Sequence, residues 1–337
     1  MMELLNWATA LPLIFMAVMG LALLAYVILD GYDLGVGMLL PLATQAEKDV
    51  MVSSIGPFWD ANETWLVLGS GGLLAAFPIA YSILMPAFYL PVAVMLIGLI
   101  VRGVAFDFRV KARDAHKAAW NHLFALGSLV TTLAQGWMLG AYVTGFHTDL
   151  WSRLFAVGIA LTLPAAYAML GVGWLVMKTE GELQRKALRW GQGVLWPMGF
   201  ALVGISLATP VVSQTVFNKW FALPGFFALL PIPLACVAAF FAIRHVLAAP
   251  RVVAAGYGWV VFVATVVIFV LAFFGLSYSI YPYIVIDRLT VWEAASATES
   301  LAVIGIGVAI TLPVIVIYTI FMYRVFWGKA RELTYGL

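Results

Sequence analysis

Residues 8–40, ATALPLIFMAVMGLALLAYVILDGYDLGVGMLL, form one apolar run that is interrupted only by an Asp-Gly-Tyr-Asp tetrad near its end. About 20 apolar residues in a helix suffice to cross the hydrocarbon core of a bilayer. The run therefore predicts a transmembrane helix, placed at about 8–38. Neither a basic region nor a small-residue cleavage site precedes it, so we expect a retained helix and not a signal peptide.

The composition places the whole chain in a membrane. Of its 337 residues, 64% are hydrophobic and 10% are charged, and the mean hydropathy is +1.03. A soluble domain carries roughly 25% charged residues, which its surface needs for solvation. The net charge of +2 argues against nucleic acid as a partner. The single cysteine, Cys236, excludes disulfides, cysteine zinc sites and iron–sulfur clusters within the chain.

Nine apolar runs are long enough to span a bilayer, and the loops between them are short. We therefore predict an all-α integral membrane protein with about nine transmembrane helices, in which residues 1–337 form a single polytopic membrane domain. The predicted spans are 8–38, 61–80, 82–106, 118–143, 153–177, 190–213, 221–245, 255–281 and 299–327.

Lysine and arginine residues are distributed unequally on the two sides of these spans. Fifteen of the 18 lie in the loops after the odd-numbered spans or in the C-terminal tail, which includes Arg331. Arg153, Lys219 and Arg288 lie on the other side. Because cytoplasmic loops carry such an excess, we expect a periplasmic N-terminus and a cytoplasmic C-terminus. Removing one span would scramble this asymmetry, which supports the odd number of helices.

Two carboxylates lie inside the first span. Asp30 and Asp33 are three residues apart and so share a helix face, and apolar residues continue beyond them to Leu40. Burying a carboxylate in a membrane is costly and usually serves a function. We interpret Asp30 and Asp33 as proton-handling or cofactor-facing residues. The alternative is a pair at the helix end that faces water.

A second polar group opens the second span. Asp60 and Glu63 have the spacing of a capping box, in which Asp60 would be the N-cap of the helix and Glu63 would fold back to it. Both carboxylates would also favour the positive end of the helix dipole. Capping alone does not require Asn62 or the flanking tryptophans, so a proton-handling role stays open beside it.

A third polar group closes the third span, where Arg102 lies among apolar residues and Asp107 follows. We expect Arg102 to pair with a carboxylate, and Asp30, Asp60 and Asp107 are all candidates. The alternative is an arginine that snorkels to the lipid boundary. The three groups converge at one membrane face, where partly dry carboxylates can pass protons. That chemistry suits proton uptake from the cytoplasm, and it fits a proton-coupled transporter just as well.

Ligands for a redox cofactor are scarce. Haem in a helical bundle needs axial histidine or methionine ligands, and only His122 of the four histidines falls inside a predicted span. We interpret His122 as a polar residue at a helix start. No metal, nucleotide or dinucleotide motif is present in the sequence. We therefore predict no metal site and no catalytic residue in this chain.

The polar groups lie in longer motifs that together resemble subunit II of the cytochrome bd ubiquinol oxidases. The motifs are LDGYDLGVG at 29–37, WDANETWL at 59–66, GGLLAAFP at 71–78, RGVAFDFR at 102–109 and KTEGEL at 178–183. The resemblance extends from the first span to the C-terminus, and a member of the cyanide-insensitive branch fits it. Ala61 stands where the family usually has glycine.

The resemblance implies two four-helix bundles and a peripheral ninth helix in a bacterial cytoplasmic membrane. It implies a heterodimer with subunit I, which holds two haems b, haem d and the site that oxidises quinol. It also implies a small single-helix accessory subunit and a ubiquinone or lipid bound at the surface. By position, the resemblance makes Asp60 a proton-path residue and Trp65 the tryptophan of lateral oxygen access, while Asp30, Arg102 and Asp107 match polar positions nearby.

Two other functions fit parts of the pattern. A proton-coupled secondary transporter could use the aspartates as its binding centre, although such proteins often carry inverted repeats and midplane sites. A purely structural membrane scaffold would use every charge as a cap or a snorkel, and the carboxylates inside apolar runs disfavour it. Haems that co-purify with a larger subunit would separate the oxidase from both alternatives.

Overall fold

The computed structural model describes residues 6–330, apart from the side chain of Asp114. Residues 1–5 and Arg331, which contributed to the signal-peptide and charge arguments, lie outside the described residues. Nine long helices dominate the described part of the chain. They are α1 (Trp7–Leu39), α2 (Trp59–Ala76), α3 (Pro78–Lys111), α4 (Asp114–Val143), α5 (Leu150–Lys178), α6 (Gly181–Val212), α7 (Pro231–Ala248), α8 (Trp259–Ile280) and α9 (Thr298–Val325).

The prediction of an all-α membrane protein with about nine helices is confirmed. Eight spans are long and apolar enough to cross a membrane, the short helix before α7 being counted with α7. The helix outside these eight is α2, which has 18 residues. Its first turns contain Asp60, Asn62 and Glu63, and these residues lower its hydropathy. Two of these residues, Asn62 and Glu63, bond to residues of other helices inside the bundle.

The boundary between α2 and α3 lies earlier than the sequence predicted. The break was placed at 80–82, but α2 ends at Ala76, Phe77 has non-helical backbone angles, and α3 begins at Pro78. Proline is favoured in the first turn of a helix because its missing N–H would have no intrahelical partner there. Pro78 therefore marks the helix start more sharply than hydropathy does.

Several short elements connect the long helices. Strands β1 (Tyr283–Val285) and β2 (Leu289–Thr290) form an antiparallel hairpin between α8 and α9. The short helices are Leu40–Leu42, Gln45–Ile55, Gln214–Phe221, Gly225–Leu229, Pro250–Val252, Val253–Tyr257 and Val291–Ala294. None of these short elements was predicted, because none contains an apolar run of spanning length.

The long helices pack as two four-helix bundles. Helices α1–α4 pack around one another, as do α5–α8, and α1 and α4 both contact α5 across the seam between the bundles. Helix α9 lies outside both bundles and touches α1 and α2. At the seam, a Cβ on Gly35 would lie 2.0 Å from the carbonyl oxygen of Tyr167, so α1 and α5 approach backbone to backbone where only glycine fits.

Candidate functional site

Helix α1 carries a polar stripe into the first bundle. Tyr26, Asp30 and Asp33 follow one another at i, i+4 and i+7, a spacing that places them on one helix face. The side chains of Asp30 and Asp33 are completely buried. The alternative in which they face water at a helix end is therefore wrong.

Asp30 is paired with an equally buried arginine. Arg102 on α3 donates from Nη1 to Asp30 Oδ1 over 2.5 Å, and from Nη2 to Glu63 Oε1 on α2. Both Arg102 and Asp30 have an exposed fraction of 0%, whereas the Glu63 side chain is 29% exposed. The Trp59 ring covers the guanidinium at 5.8 Å. Arg102 does not snorkel to the lipid boundary, so that alternative is wrong.

Asp33 has neutral neighbours instead. Asn62 on α2 donates from Nδ2 to Asp33 Oδ2 over 2.8 Å and to the Tyr32 hydroxyl over 3.0 Å. The Tyr32 and Tyr323 hydroxyls are 2.6 Å apart, and Tyr323 on α9 donates to Asn62 Oδ1 over 3.3 Å. One asparagine therefore joins α1, α2 and α9 at a second buried carboxylate.

A chain of neutral polar groups leads from Asp30 to the second bundle. The Tyr26 hydroxyl interacts with Asp30. It accepts a hydrogen bond of 2.7 Å from Gln135 Nε2 on α4, and Gln135 Oε1 accepts one of 2.6 Å from the Tyr167 hydroxyl on α5. These groups connect α1, α4 and α5 through the interior. We refer to Asp30, Asp33, Asn62, Glu63 and Arg102, together with this tyrosine–glutamine chain, as the polar cluster.

Three buried atoms of the polar cluster have no hydrogen-bond partner among the described residues. They are Asp30 Oδ2, Asp33 Oδ1 and Arg102 Nε. Buried polar atoms in proteins nearly always bond to protein or to ordered water. The cluster thus offers water two carboxylate oxygens and one guanidinium N–H. Three carboxylates around one guanidinium, with positions for water between them, can accept and release protons.

Asp60 and Asp107 lie outside the polar cluster, and both side chains are exposed on the surface of the chain. The capping-box alternative is wrong, because the N-cap of α2 is Phe58 without a side-chain cap hydrogen bond, and Glu63 bonds to Arg102. Among the three carboxylates proposed for Arg102, the structure selects Asp30, and it adds Glu63.

Several polar residues of this region were not found by sequence reasoning. Tyr26, Gln135 and Tyr323 carry no charge, so nothing distinguishes them from other polar residues of a membrane helix. Arg109 could have been found, because it follows Arg102 by seven residues and so lies on the same face of α3. It is buried and bonds to Asp49 Oδ1 over 2.7 Å and to Asn121 Oδ1 over 2.5 Å.

Trp65 lies at the junction of α1, α2 and α9. Its side chain is 8% exposed and belongs to a small apolar cluster with Ala22 and Tyr26, against which Leu312 and Ile315 of α9 pack. Its indole Nε1 is buried and has no hydrogen-bond partner among the described residues. An indole held under the peripheral helix is positioned between the bundle and the lipid.

None of the four histidines supplies an axial haem ligand inside a bundle. His116, His122, His147 and His245 are all exposed, whereas an axial ligand would have to project into a bundle. Within residues 6–330, no group of three histidine, cysteine, aspartate or glutamate side chains could hold a metal ion.

A sequence model of the family described as cytochrome bd terminal oxidase subunit II matches residues 11–326. The chain belongs to this family. A cytochrome bd-type subunit II is part of a membrane quinol oxidase, the terminal oxidase of a respiratory chain, and the resemblance noted in the sequence is confirmed. Haem is a constituent of such a complex, and a subunit I is its partner.

Named relatives of this subunit II are similar over nearly their whole length. Cytochrome bd ubiquinol oxidase subunit 2 of Bacillus subtilis (strain 168) is 29% identical over 318 residues, which cover 88% of this chain and 90% of the relative. Cytochrome bd-I ubiquinol oxidase subunit 2 of Escherichia coli (strain K12) is 25% identical over 378 residues, with 96% of each covered.

A solved structure shares the fold of this subunit II. It is described as the structure of bd oxidase from Geobacillus thermodenitrificans, and the similarity covers 95% of this chain and all of the matched chain. The TM-score is 0.76 and the sequence identity is 16%. The nine-helix arrangement of this chain is therefore the fold of a bd oxidase chain.

Proposed function

We propose that this subunit II conducts protons toward the oxygen-reducing site of its partner through Asp30, Asp33, Glu63 and Arg102. Asp60 and Asp107 are the outer residues of the path, on the exposed surface of the chain. The chain forms one polytopic unit, with its N-terminus in the periplasm and its C-terminus in the cytoplasm of a bacterial inner membrane. The charge asymmetry of the loops supports this orientation.

The observation that carries the proposal is the position of Glu63. Its carboxylate is 29% exposed, yet it shares Arg102 with the fully buried Asp30. Glu63 can therefore exchange a proton with water and pass it inward, while Arg102 holds the receiving carboxylate in place. The buried Asp30 and Asp33 oxygens without a protein partner are positions for the water that would carry the proton onward.

The partner supplies the redox chemistry in this proposal. Subunit I holds two haems b, haem d and the quinol site, and this chain stabilises it in a heterodimer. Trp65 lines the route by which oxygen arrives laterally from the membrane, and its position under α9 supports that role. The exposed apolar faces accommodate lipid or a ubiquinone, and a single-helix accessory subunit can join the complex.

The test compares two carboxylates of matched geometry. Glu63→Gln keeps an oxygen that can accept from Arg102 but cannot take up and release a proton. Asp49→Asn makes the same change at Asp49, which is 35% exposed and pairs with the buried Arg109 over 2.7 Å outside the polar cluster. Both variants are expressed with subunit I, purified as the complex, and assayed for haem spectrum and for quinol-driven oxygen consumption.

Glu63→Gln is expected to leave the haem spectrum intact and to slow turnover by about a hundredfold or more, the usual contribution of one positioned acid–base group. Asp49→Asn is expected to leave turnover unchanged. Equal turnover of the two variants would contradict the proton path through Glu63. Asp60→Asn is expected to slow turnover in a complex that still assembles, and normal turnover would remove Asp60 from the path.

A further inference from the structure

Helix α9 contributes to the polar cluster although it is loosely packed. Among its residues only Leu301, near its start, is buried, and most of the helix faces away from the bundles. Near its other end, however, Tyr323 reaches the Tyr32 hydroxyl and Asn62 Oδ1. Aromatic rings pack on Tyr323 at this end, and polar contacts from the residues beyond the helix add to that packing.

Those contacts come from the five residues after the helix, Phe326–Ala330, which we call the C-terminal arm. Lys329 Nζ donates to the carbonyl oxygens of Met177 and Thr179, each over 3.0 Å. The backbone N–H of Ala330 donates to the carbonyl oxygen of Lys178 over 2.7 Å. Lys178 Nζ donates in return to the carbonyl oxygen of Phe326 over 2.8 Å.

These bonds complete the end of α5. The last four carbonyl groups of a helix lack intrahelical partners and must be satisfied from outside. Thr179 bonds to the carbonyl of Leu175, and Gln184 Nε2 bonds to that of Val176 over 2.8 Å. The C-terminal arm satisfies the remaining two, those of Met177 and Lys178. The ammonium group of Lys329 also lies at the negative end of the α5 dipole, where a cation is favourable.

Lys178 connects the C-terminal arm to the aromatic side chains that enclose Tyr323. Its Nζ lies 5.1 Å from the centre of the Trp174 ring and 5.7 Å from that of Phe58, which are cation–π distances. Phe58 stacks on Tyr323 at 4.5 Å, and Trp174 stacks on Tyr32 at 4.1 Å. The lysine that binds the arm therefore also contacts the aromatic rings stacked on both tyrosines.

We propose that Lys329 and Lys178 are positioning residues of the polar cluster. They clamp the C-terminal arm onto the end of α5, and the clamp holds Tyr323 against Asn62 and Tyr32. Through Asn62 the clamp fixes the orientation of Asp33, to which the amide donates over 2.8 Å. This inference rests on the proposed role of the polar cluster in proton transfer.

The experiment uses the complex with subunit I. Lys329→Gln weakens the clamp, and Lys219→Gln is the matched control, because Lys219 Nζ also donates to a backbone carbonyl, that of Tyr278, over 3.1 Å. Tyr323→Phe removes the hydroxyl, and the double variant combines it with Lys329→Gln. Hydrogen exchange at Ala330 reports the clamp, while kcat and KM for quinol report the reaction.

Lys329→Gln is expected to speed exchange at Ala330 and to lower kcat about two- to tenfold, the range expected for one lost hydrogen bond, with KM unchanged. Lys219→Gln is expected to change neither quantity. Because the clamp acts through Tyr323, the double variant should be no slower than Tyr323→Phe alone. Lys329→Arg, which keeps a cation with several donors, should restore kcat.

Two results would overturn the inference in different ways. If Tyr323→Phe lowers kcat and Lys329→Gln does not, the clamp is wrong while the proposed function stands. If the two losses multiply in the double variant, Lys329 acts by another route and the positioning role is wrong. Should Lys329→Gln not accumulate, Ala330→Pro removes the N–H bonded to Lys178, also stiffens the backbone of the arm, and is held to the same two criteria.

Discussion

Replacing Arg102 with methionine removes the only cation that is paired with the buried carboxylates of the polar cluster among the described residues. Arg102 and Asp30 are both completely buried, and the bond between them is 2.5 Å long. Glu63 is 29% exposed and can be hydrated when the arginine is gone. Asp30 is closed off from bulk water, so the variant leaves its carboxylate buried without a counter-charge.

The expected loss follows from this asymmetry. Breaking a buried pair by removing one partner costs about 3–5 kcal/mol, which is between about two and four powers of ten in a folding equilibrium. Replacing both members with apolar residues is often neutral. The double variant Arg102→Met with Asp30→Leu should therefore recover most of the loss. The stability of Arg102→Lys should lie between that of Arg102→Met and that of the unaltered complex, because a compact ammonium group cannot hold two carboxylates as a guanidinium does.

The assay is the thermal midpoint of the purified complex, followed by tryptophan fluorescence, together with the yield of assembled complex. Arg102→Met should lower the midpoint by about 5 °C or more. The control is Arg153→Met, since Arg153 is exposed and lies outside the polar cluster. A loss no larger than that of the control would refute the buried pair. A double variant no more stable than Arg102→Met would refute the stranded carboxylate as the cause.

Three further outcomes follow from single contacts. Gln135→Leu removes a hydrogen bond from each of two buried tyrosine hydroxyls and should lower the stability of the complex by about 1–3 kcal/mol in the same thermal assay. Gly35→Ala places a Cβ 2.0 Å from a carbonyl oxygen of α5 and should prevent accumulation of the complex in membranes, whereas Gly158→Ala, which has open space, should not. Hydrogen bonds from the backbone and hydroxyl of Thr290 hold the pKa of Glu293 below its ordinary value. The capping box at Val291–Ala294 is therefore present above that ordinary pKa and is lost as pH falls through the lowered one. Protection of its amides against hydrogen exchange, taken relative to the intrinsic rate at each pH, should fall in acid, and Glu293→Gln should abolish this pH dependence.

The bilayer explains why the helices could be predicted and the connections could not. A span must be apolar over a fixed length, so hydropathy locates the long helices to within a few residues, except where α6 begins at Gly181 in place of 190 and α7 at Pro231 in place of 221. The helix Gln45–Ile55 and the hairpin at 283–290 lie outside that constraint. They form because their side chains bond to parts of the chain that are distant in sequence, as Glu47 bonds to Lys186.

The residues of the site also divide into those that the sequence predicts and those that it does not. Charged residues inside apolar runs are conspicuous, so Asp30, Asp33 and Arg102 could be singled out from the sequence alone. Which carboxylate meets Arg102 depends on the rotation of each helix about its axis, and Asp60 and Glu63 look alike along the chain. Although they are only three residues apart, Glu63 bonds to Arg102 and Asp60 is exposed at the surface. Only the packing of the helices gives Asp60 and Glu63 different surroundings.

The lipid environment limits which interactions can set those rotations. Lipid tails are as apolar as leucine, so burial of apolar area cannot choose which helix faces meet; close backbone contact and buried polar bonds must do so. Both occur at Arg102. A Cβ on Gly127 of α4 would lie 2.6 Å from the carbonyl oxygen of Gly98 and 2.9 Å from the backbone nitrogen of Arg102, so α3 and α4 cross at the polar cluster. Under the proposed function, the residues that align the bundle are also the ones that handle protons. Only changes that keep the hydrogen bonds while removing the titratable proton, such as Glu63→Gln, can separate the two roles.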